Sequence, residues 1–399
     1  MNIPKKIHYF WVGNKISERD LRRIIAIKSE NRGFEVNIWG TNDVESLISH
    51  KLRNLTFKYN KNDTDVNADI DVGILFGREF RYRNIETAFF FLISQASCLN
   101  HTYFMQDLYD TQRAELAKFG IRTNNDSTKT SCLCYKRYSE PDNDYSKVMH
   151  FLHHVFVLQM HGDFKNYASA SDIARLAILY MEGGIYLDVD VELTNSDIKY
   201  MKSDVFDEDL SVSGEKYFKR RARFEKLELK SDIGFGDCHG MGWGQVSNDE
   251  KWNIRYLDSH KIKQLVYNEF SNGIIAAQPR SEKVMALLVF MACNIKKYSY
   301  NEKDKTLSTK WRTGIVPNLP SMNTPKHCRS RRLDLTVDMT GPQSYQNLFS
   351  MVKKRESNNQ HKIDCISPPR DWQMNSGLDL MFKRVNNDAN WASVIKRKK

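Results

Sequence analysis

The sequence predicts an α/β protein with a mostly parallel sheet, because strand and helix patterns alternate near the N-terminus and again near residue 180. Residues 3–12 and 34–39 are apolar segments typical of strands. Between them, residues 17–30 show a helical pattern, and Ser17 and Asp20 resemble a capping box at its start. A helix that connects two strands in this way is typical of a parallel sheet with right-handed crossovers.

The second alternation, residues 171–193, is the segment on which the functional prediction depends. Its first half predicts a helix with Ser171 as N-cap, because apolar residues recur at helical spacing at Ile173, Leu176, Ala177 and Tyr180. The helix is predicted to end at Gly183 and Gly184, since glycine adopts the left-handed conformation common at helix C-termini. A single strand over residues 185–193 should follow, with Asp188 and Asp190 on the same face.

Two carboxylates on one strand face repel each other unless a cation lies beside them. Asp188 and Asp190 therefore predict a site for a hard divalent ion, Mn²⁺ or Mg²⁺, which binds carboxylates together with substrate phosphates. The alternative is an edge strand with a solvated acidic face. We favour the cation site because the carboxylates end an apolar strand directly after a helix and a Gly-Gly turn.

The predicted domain organisation depends on the region in which the strand pattern is replaced by a helical pattern. Between residues 43 and 164 helical segments dominate, among them residues 85–100 and 146–160. We predict one domain over residues 1–399 that contains a mainly helical insertion at residues 45–165. Residues 385–399 are polar and basic, and we expect them to form a flexible C-terminal lid or tail.

The composition limits the classes of protein to consider. A hydrophobic fraction of 41% with 12% aromatic residues is typical of a folded globular protein. No apolar run reaches the roughly 18 residues of a membrane span, and residues 1–14 lack the apolar region of a secretion signal. The seven scattered cysteines indicate free thiols in a reducing compartment. A net charge of +11 favours acidic partners, such as an anionic membrane, nucleic acid or an acidic protein surface.

Five residues at fixed spacings connect the sequence to a known family: Asp172, Arg175, Tyr186, Asp188 and Asp190. They stand in the segments SDIAR (171–175) and GGIYLDVD (183–190), which resemble the core of nucleotide-sugar glycosyltransferases with a DXD motif. Within that group the sequence is most similar to the catalytic domains of large clostridial glucosylating toxins and related bacterial effectors. The resemblance implies a GT-A-type, Rossmann-like fold and a metal-dependent transfer of a hexose from a UDP-sugar.

The resemblance also implies roles for individual residues in the donor site. Asp190 would bind the metal, most simply Mn²⁺, and Asp188 would contact the metal region, the ribose and the sugar. Asp172 and Arg175 would hold sugar hydroxyls. Tyr186 would help to position the sugar and the uridine.

Three further segments match parts of the donor site in the same family. Trp11 and Val12 lie at the carboxyl end of the first predicted strand, where ligands of open α/β sheets bind, and Trp11 matches a tryptophan that stacks on uracil. Asn272 matches a contact to a hexose hydroxyl. Trp391 matches a C-terminal tryptophan that closes over the sugar, and Asp388 or the nearby Asn386 would add an oxygen ligand to the metal.

The acceptor implied by the resemblance is a protein hydroxyl, on a host small GTPase or another host protein. The chain would then be a toxin or effector that retains the anomeric configuration and acts in the host cytosol. One alternative is a bacterial cytoplasmic glycosyltransferase that builds capsule or lipopolysaccharide. A second alternative, from another class, is a nucleic-acid or lipid-binding module centred on the basic, aromatic-containing residues 216–230. Nucleic acid ranks last among the expected partners.

Overall fold

The structure is a computed structural model. The residues that it describes are 3–13, 16–41, 44–59, 79–97, 103–121, 145–161, 166–193, 198–199, 207–212, 215–219, 232–237, 270–298, 300–303, 305–307, 339–341, 344–345, 348 and 382–384. The chain divides into two compact units. The first unit consists of Met1–Ile85, Ile178–Ser281 and Ile363–Ala389, and the second of Glu86–Ala177, Glu282–Lys362 and Asn390–Lys399.

The helices in this part of the chain are α1 (Glu18–Glu30), α2 (Val44–Tyr59), α3 (Ile85–Ala96), α4 (Tyr103–Ala117), α5 (Ser146–His161), α6 (Tyr167–Glu182) and α7 (Glu282–Tyr298). The strands are β1 (Lys6–Phe10), β2 (Glu35–Gly40), β3 (Phe80–Asn84), β4 (Gly184–Leu187), β5 (Val191–Leu193), β6 (Ile198–Lys199), β7 (Asp207–Val212), β8 (Glu215–Lys219), β9 (Ile233–Asp237), β10 (Phe270–Ala277), β11 (Tyr300–Asn301), β12 (Thr306–Leu307) and β13 (Phe382–Arg384). Among the described helices, none combines the length and apolar content needed to cross a bilayer.

A six-stranded sheet forms the centre of the first unit, in the order β3-β2-β1-β4-β10-β9 within the described residues. Strands β3, β2, β1 and β4 are parallel, and β10 is antiparallel to both of its neighbours. One face of this sheet packs against α1 and α2 through a continuous apolar cluster that includes Ile7, Val36, Ile38, Ile185 and Leu187. The predicted α/β class with a mostly parallel sheet is therefore confirmed.

The N-terminal strand, helix and strand are confirmed, with a shorter first strand than predicted. The N–H of Asp20 donates to Ser17 Oγ at 3.0 Å, so Ser17 is the N-cap of α1. Strand β1 begins only at Lys6, because the chain turns at Pro4, whose carbonyl accepts the N–H of Lys6 at 2.7 Å. Strand β3 lies inside the region predicted as a helical insertion and pairs with β2.

The N-cap predicted for the helix before the aspartates is wrong. Helix α6 starts at Tyr167, and Ser171 lies within it. The cap is Asn166, whose Oδ1 accepts the N–H of Ser169 at 3.2 Å and whose carbonyl accepts the N–H of Ala170 at 3.1 Å. The apolar stripe that starts at Ile173 therefore marks the middle of the helix rather than its first turn.

The single strand predicted over residues 185–193 is also wrong. Strand β4 ends at Leu187 and β5 starts at Val191, and a turn at residues 188–190 separates them. The N–H of Val191 donates to the carbonyl of Asp188 at 3.1 Å, which closes this turn. The alternation of a continuous strand therefore does not orient Asp188 and Asp190.

The second unit contains helices α3, α4, α5 and α7, most of α6, and the short hairpin β11–β12. Helix α7 contacts α4 and α5. Phe89 on α3 packs on Phe156 of α5 with ring centroids 4.7 Å apart. Lys296 on α7 lies over the ring of Phe119 at 4.4 Å, so this cation rests on an aromatic face.

Candidate active site

The Gly-Gly turn after α6 places β4 directly beside β1. Gly183 and Gly184 have φ values of +62° and +91°, as predicted for a helix C-terminus. A Cβ at Gly183 would lie 2.5 Å from Cδ of Pro279, and one at Gly184 would lie 2.6 Å from the carbonyl oxygen of Lys6. Both positions therefore require glycine for conformation and for space.

A buried histidine joins β1 to this turn. Nε2 of His8 lies 2.8 Å from the carbonyl oxygen of Gly183, and Nδ1 of His8 accepts Nε1–H of Trp39 at 3.1 Å. Since Nδ1 is the acceptor, Nε2 carries the proton and donates to Gly183. Burial lowers the pKa of His8 to about 4. His8 is therefore a neutral group that fixes the start of β4 against β1 and β2.

An ion-pair group surrounds the same turn. Glu182, the last residue of α6, pairs with Nζ of Lys6 and with Nη2 of Arg83, the latter at 2.9 Å. The guanidinium of Arg83 also lies over the ring of Trp39, 4.7 Å from its centroid. Burial alone raises the pKa of Glu182, but the Lys6 hydrogen bond and the charges of Arg83 and Lys6 outweigh burial and lower it.

Residues 188–190 form the DXD turn at the carboxyl end of β4. The N–H of Asp188 donates to the carbonyl of Gly273 in β10 at 2.8 Å, which continues the β4–β10 register by one residue and fixes the start of the turn against β10. Asp188, Val189 and Asp190 are half-buried. Because β1 and β4 are neighbouring parallel strands, the DXD turn and the residues that follow β1 lie at the same edge of the sheet.

The residues after β1 are Trp11 and Val12, both half-buried. The N–H of Trp11 donates to the carbonyl of Trp39 at 2.8 Å, and the Trp11 side chain packs against the apolar cluster, as does Val189. In the part of the chain that the structure describes, Nε1 of Trp11 is buried without a hydrogen-bond partner. The first unit thus brings Trp11, Val12, Asp188 and Asp190 to one edge of the sheet.

Two other predicted donor-site residues lie in strands of the same sheet. Tyr186 lies in β4 between His8 of β1 and Ile275 of β10 and is only 1% exposed. Asn272 lies in β10, beside the glycine that binds the DXD turn, and is 6% exposed. Both side chains are therefore positioned by the sheet and not by loops.

Asp172 and Arg175 belong to the second unit and lie on successive turns of α6. Nη2 of Arg175 lies 3.1 Å from Oδ1 of Asp172, and both residues are buried. Oδ2 of Asp172 accepts a hydrogen bond from Oγ1 of Thr340 at 2.9 Å. Asp172 and Arg175 were predicted from the sequence, but Thr340 was not. Thr340 stands 168 residues away from Asp172, and no local pattern connects them.

The carboxylates of Asp188 and Asp190 are oxygen donors of the kind that Mn²⁺ and Mg²⁺ prefer, so they fit a divalent ion. Among the described residues, no group of three His, Cys, Asp or Glu side chains could hold a metal without further ligands. Two carboxylates leave coordination positions for substrate phosphates, as is common for these ions. The donor set therefore fits an ion that binds together with a diphosphate.

Asp388, Asn386 and Trp391, like the whole predicted lid at residues 385–399, lie outside the described residues. The structure does describe β13, the strand that precedes these residues in the sequence. Strand β13 is antiparallel to β5, with Arg384 opposite Val191. Val191 adjoins Asp190, and Arg384 stands four residues before Asp388 in the sequence.

Residues 94–207 match the family model described as a glycosyltransferase sugar-binding region containing the DXD motif. This segment is less than a third of the chain, and it contains Asp172, Arg175, Tyr186, Asp188 and Asp190. The match identifies the chain as a glycosyltransferase with a DXD motif. It agrees with the GT-A-type fold expected for the mostly parallel sheet. A comparison with curated protein sequences finds no match.

Three solved structures are similar to the chain at low sequence identity. The PaToxG glycosyltransferase is 15% identical, with 89% of this chain and 72% of that chain covered and a TM-score of 0.33. The catalytic domain of alpha-toxin from Clostridium novyi is 13% identical, with coverages of 100% and 81% and a TM-score of 0.41. The UDP-bound glycosyltransferase domain from the YGT toxin is 13% identical, with coverages of 89% and 78% and a TM-score of 0.37. These values describe a distant structural similarity.

Proposed function

We propose that this glycosyltransferase moves a hexose from a UDP-sugar to a hydroxyl of a protein acceptor, with a divalent cation, Mn²⁺ or Mg²⁺, at the DXD turn. The observation that carries the proposal is the DXD turn at the carboxyl end of β4, beside the end of β1, within the segment that matches a sugar-binding region. This edge of the sheet is where ligands of open α/β sheets bind.

The metal region of the proposed site uses carboxylates. Asp190 and Asp188 hold the ion, and Asp388 of the C-terminal segment adds a third oxygen ligand. A bound divalent ion supplies Lewis-acid stabilisation of the diphosphate leaving group. The pairing of β13 with β5 supports the assignment of Asp388, since the chain that leads to this residue runs beside the strand that follows Asp190.

The remaining residues bind the nucleotide and the sugar. Trp11 stacks on the uracil, and Val12 lies beside it at the end of β1. Tyr186 and Asn272 support the uridine and the hexose from within the sheet. Asp172 and Arg175 bind sugar hydroxyls, and Trp391 closes over the sugar. A hydroxyl has both a donor hydrogen and acceptor lone pairs, so a carboxylate and a guanidinium can bind it together.

The net charge of +11 supports an acidic protein surface as the acceptor, because opposite charges steer association. A host small GTPase is the acceptor that we propose, reached by an effector in the host cytosol, with the anomeric configuration retained. The same charge would favour contact with an anionic membrane. This acceptor assignment is independent of the donor site, and a separate measurement tests it.

The test of this function uses labelled UDP-glucose, UDP-N-acetylglucosamine and UDP-galactose with Mn²⁺ and a eukaryotic cell lysate. We expect at least one sugar to label a protein band, and Asp190→Ala to abolish the label. Asp110→Ala is the matched control, because it removes a carboxylate on α4 that pairs with Arg113 at 3.3 Å. Label found only in lipid-linked glycan of a bacterial membrane fraction would contradict a protein acceptor and support a polysaccharide glycosyltransferase.

A further inference from the structure

Thr340 lies in a buried polar cluster of the second unit, together with Asp172 and Ser169. Oγ1 of Thr340 is 2.9 Å from Oδ2 of Asp172 and 3.2 Å from Oγ of Ser169. Ser169 and Thr340 are fully buried, and Asp172 is 2% exposed. Two distant segments of the chain thus meet at one carboxylate.

The direction of these hydrogen bonds follows from the chemistry of the groups. An ionised carboxylate only accepts hydrogen bonds, and a hydroxyl has one hydrogen to donate. Thr340 therefore donates to Asp172 and accepts from Ser169 Oγ–H. This chain of donors ends on the negative charge, where a hydrogen bond is stronger than one between neutral groups.

Arg175 makes contacts within its own helix. Its Nε donates to the carbonyl of Ser171 at 3.2 Å, and its Nη2 lies 3.1 Å from Ser171 Oγ and 3.1 Å from Oδ1 of Asp172. Each of these partners is on α6. Thr340, by contrast, reaches the other oxygen of Asp172 from outside the helix. The orientation of the carboxylate plane thus depends on a residue that the helix does not carry.

We propose that Thr340 is a positioning residue for the sugar half of the donor. It holds the Asp172 carboxylate in the orientation in which Asp172 and Arg175 together bind a hexose hydroxyl. This inference rests on the proposed function. It adds a specific consequence: Thr340 contributes to the binding of a UDP-sugar and contributes nothing to the binding of UDP, which has no hexose.

The test is calorimetric titration with UDP and with the UDP-sugars in the presence of Mn²⁺. Thr340→Val removes the hydroxyl and keeps the shape of the side chain. We expect it to weaken UDP-sugar binding by about tenfold, the effect of losing one hydrogen bond to a charged group, and to leave UDP binding unchanged. Thr340→Ser keeps the hydroxyl and should bind both ligands as the native protein does.

Ser344→Ala is the matched control in the same segment. The Oγ of Ser344 is buried and has no hydrogen-bond partner in the part of the chain that the structure describes. Its removal deletes a buried hydroxyl without affecting Asp172, so both affinities should stay at the native values. A loss of UDP-sugar affinity in Ser344→Ala equal to that in Thr340→Val would overturn the inference.

Thr340→Val leaves the buried Asp172 carboxylate without its Thr340 donor, which would destabilise the variant. A second pair of variants avoids this buried charge. Asp172→Asn is neutral, and the double variant Asp172→Asn, Thr340→Val should bind UDP-sugar no more weakly than Asp172→Asn alone. Additive losses, or an equal loss of UDP binding, would overturn the role of Thr340. If the native protein binds neither UDP nor any UDP-sugar, the proposed function fails, and the inference fails with it.

Discussion

Nε2 of His8 lies 2.8 Å from the carbonyl oxygen of Gly183, and this buried hydrogen bond links the first strand of the sheet to a turn 175 residues later in the sequence. Gly183 starts the turn that leads into β4, and β4 ends at the DXD turn. The position of the two aspartates thus depends on a contact in the interior of the sheet, at the opposite end of a four-residue strand.

Replacing His8 with leucine should lower the free energy of unfolding by about 2–4 kcal/mol, because Nε1 of Trp39 and the carbonyl of Gly183 each lose a buried partner. Denaturant unfolding followed by circular dichroism measures the loss. Asn37→Val is the matched control, since Asn37 lies opposite His8 in β2, is fully buried and has no hydrogen-bond partner for either side-chain atom in the described structure. The free energy of unfolding of Asn37→Val should stay within about 1 kcal/mol of the native value or rise. Equal losses in the two variants would contradict this role of His8.

Stability should fall as the pH is lowered from about 6.5 to about 4. Burial lowers the pKa of His8 from 6.5 to about 4, so in this range the unfolded chain binds a proton that the folded chain excludes. Over this whole pH range, the free energy of unfolding falls by about 3 kcal/mol. The pKa of Glu182 is also lowered in the folded state from its ordinary value of 4.5. Protonation of this carboxyl group therefore lowers the stability further as the pH falls below 4.5.

The measurement for this pH dependence is the free energy of unfolding of the native protein and of His8→Gln at several pH values. Glutamine retains a donor for Gly183 and does not titrate, so the variant should show a smaller slope between pH 4 and 6.5. A variant with the same slope as the native protein would exclude His8 as the source.

Gly183→Ala should be much more destabilising than Gly120→Ala, although both glycines have positive φ values, +62° and +83°. A Cβ at Gly183 meets Pro279 at 2.5 Å, whereas the nearest atom to a Cβ at Gly120 is Nζ of Lys147 at 3.5 Å. Left-handed strain costs each variant about 1–2 kcal/mol, and overpacking adds about 1–3 kcal/mol at Gly183. Thermal unfolding of both variants checks this order. A smaller loss at Gly183 would show that the Pro279 contact relaxes freely.

Local patterns predicted the parts of the site that local residues determine. The Gly183-Gly184 turn was predicted because its conformation needs glycine whatever surrounds it. The N-cap was misplaced because Asn166 and Ser171 are both good capping residues, and the apolar stripe alone did not show that Tyr167 and Ala170 continue the helix upstream.

The remaining errors concern contacts between distant segments. The alternation of residues 185–193 is the same for a continuous strand and for two strands separated by a turn. The two cases differ in pairing with distant segments, because β4 pairs with β10 whereas β5 pairs with β13. Strand β3 was missed because arginines alternate with aromatic residues in Phe80–Asn84, which is not a typical apolar strand pattern. The pairing of β3 with β2 supplies the stabilisation that its composition does not indicate.

The most direct test of the central claim is a calorimetric titration of the protein with UDP, with and without Mn²⁺, repeated for Asp190→Ala. We expect UDP to bind the native protein only when Mn²⁺ is present and Asp190→Ala to abolish this binding. Equal binding of UDP without the ion, or unchanged Mn²⁺-dependent binding in Asp190→Ala, would contradict a metal and diphosphate site at the DXD turn.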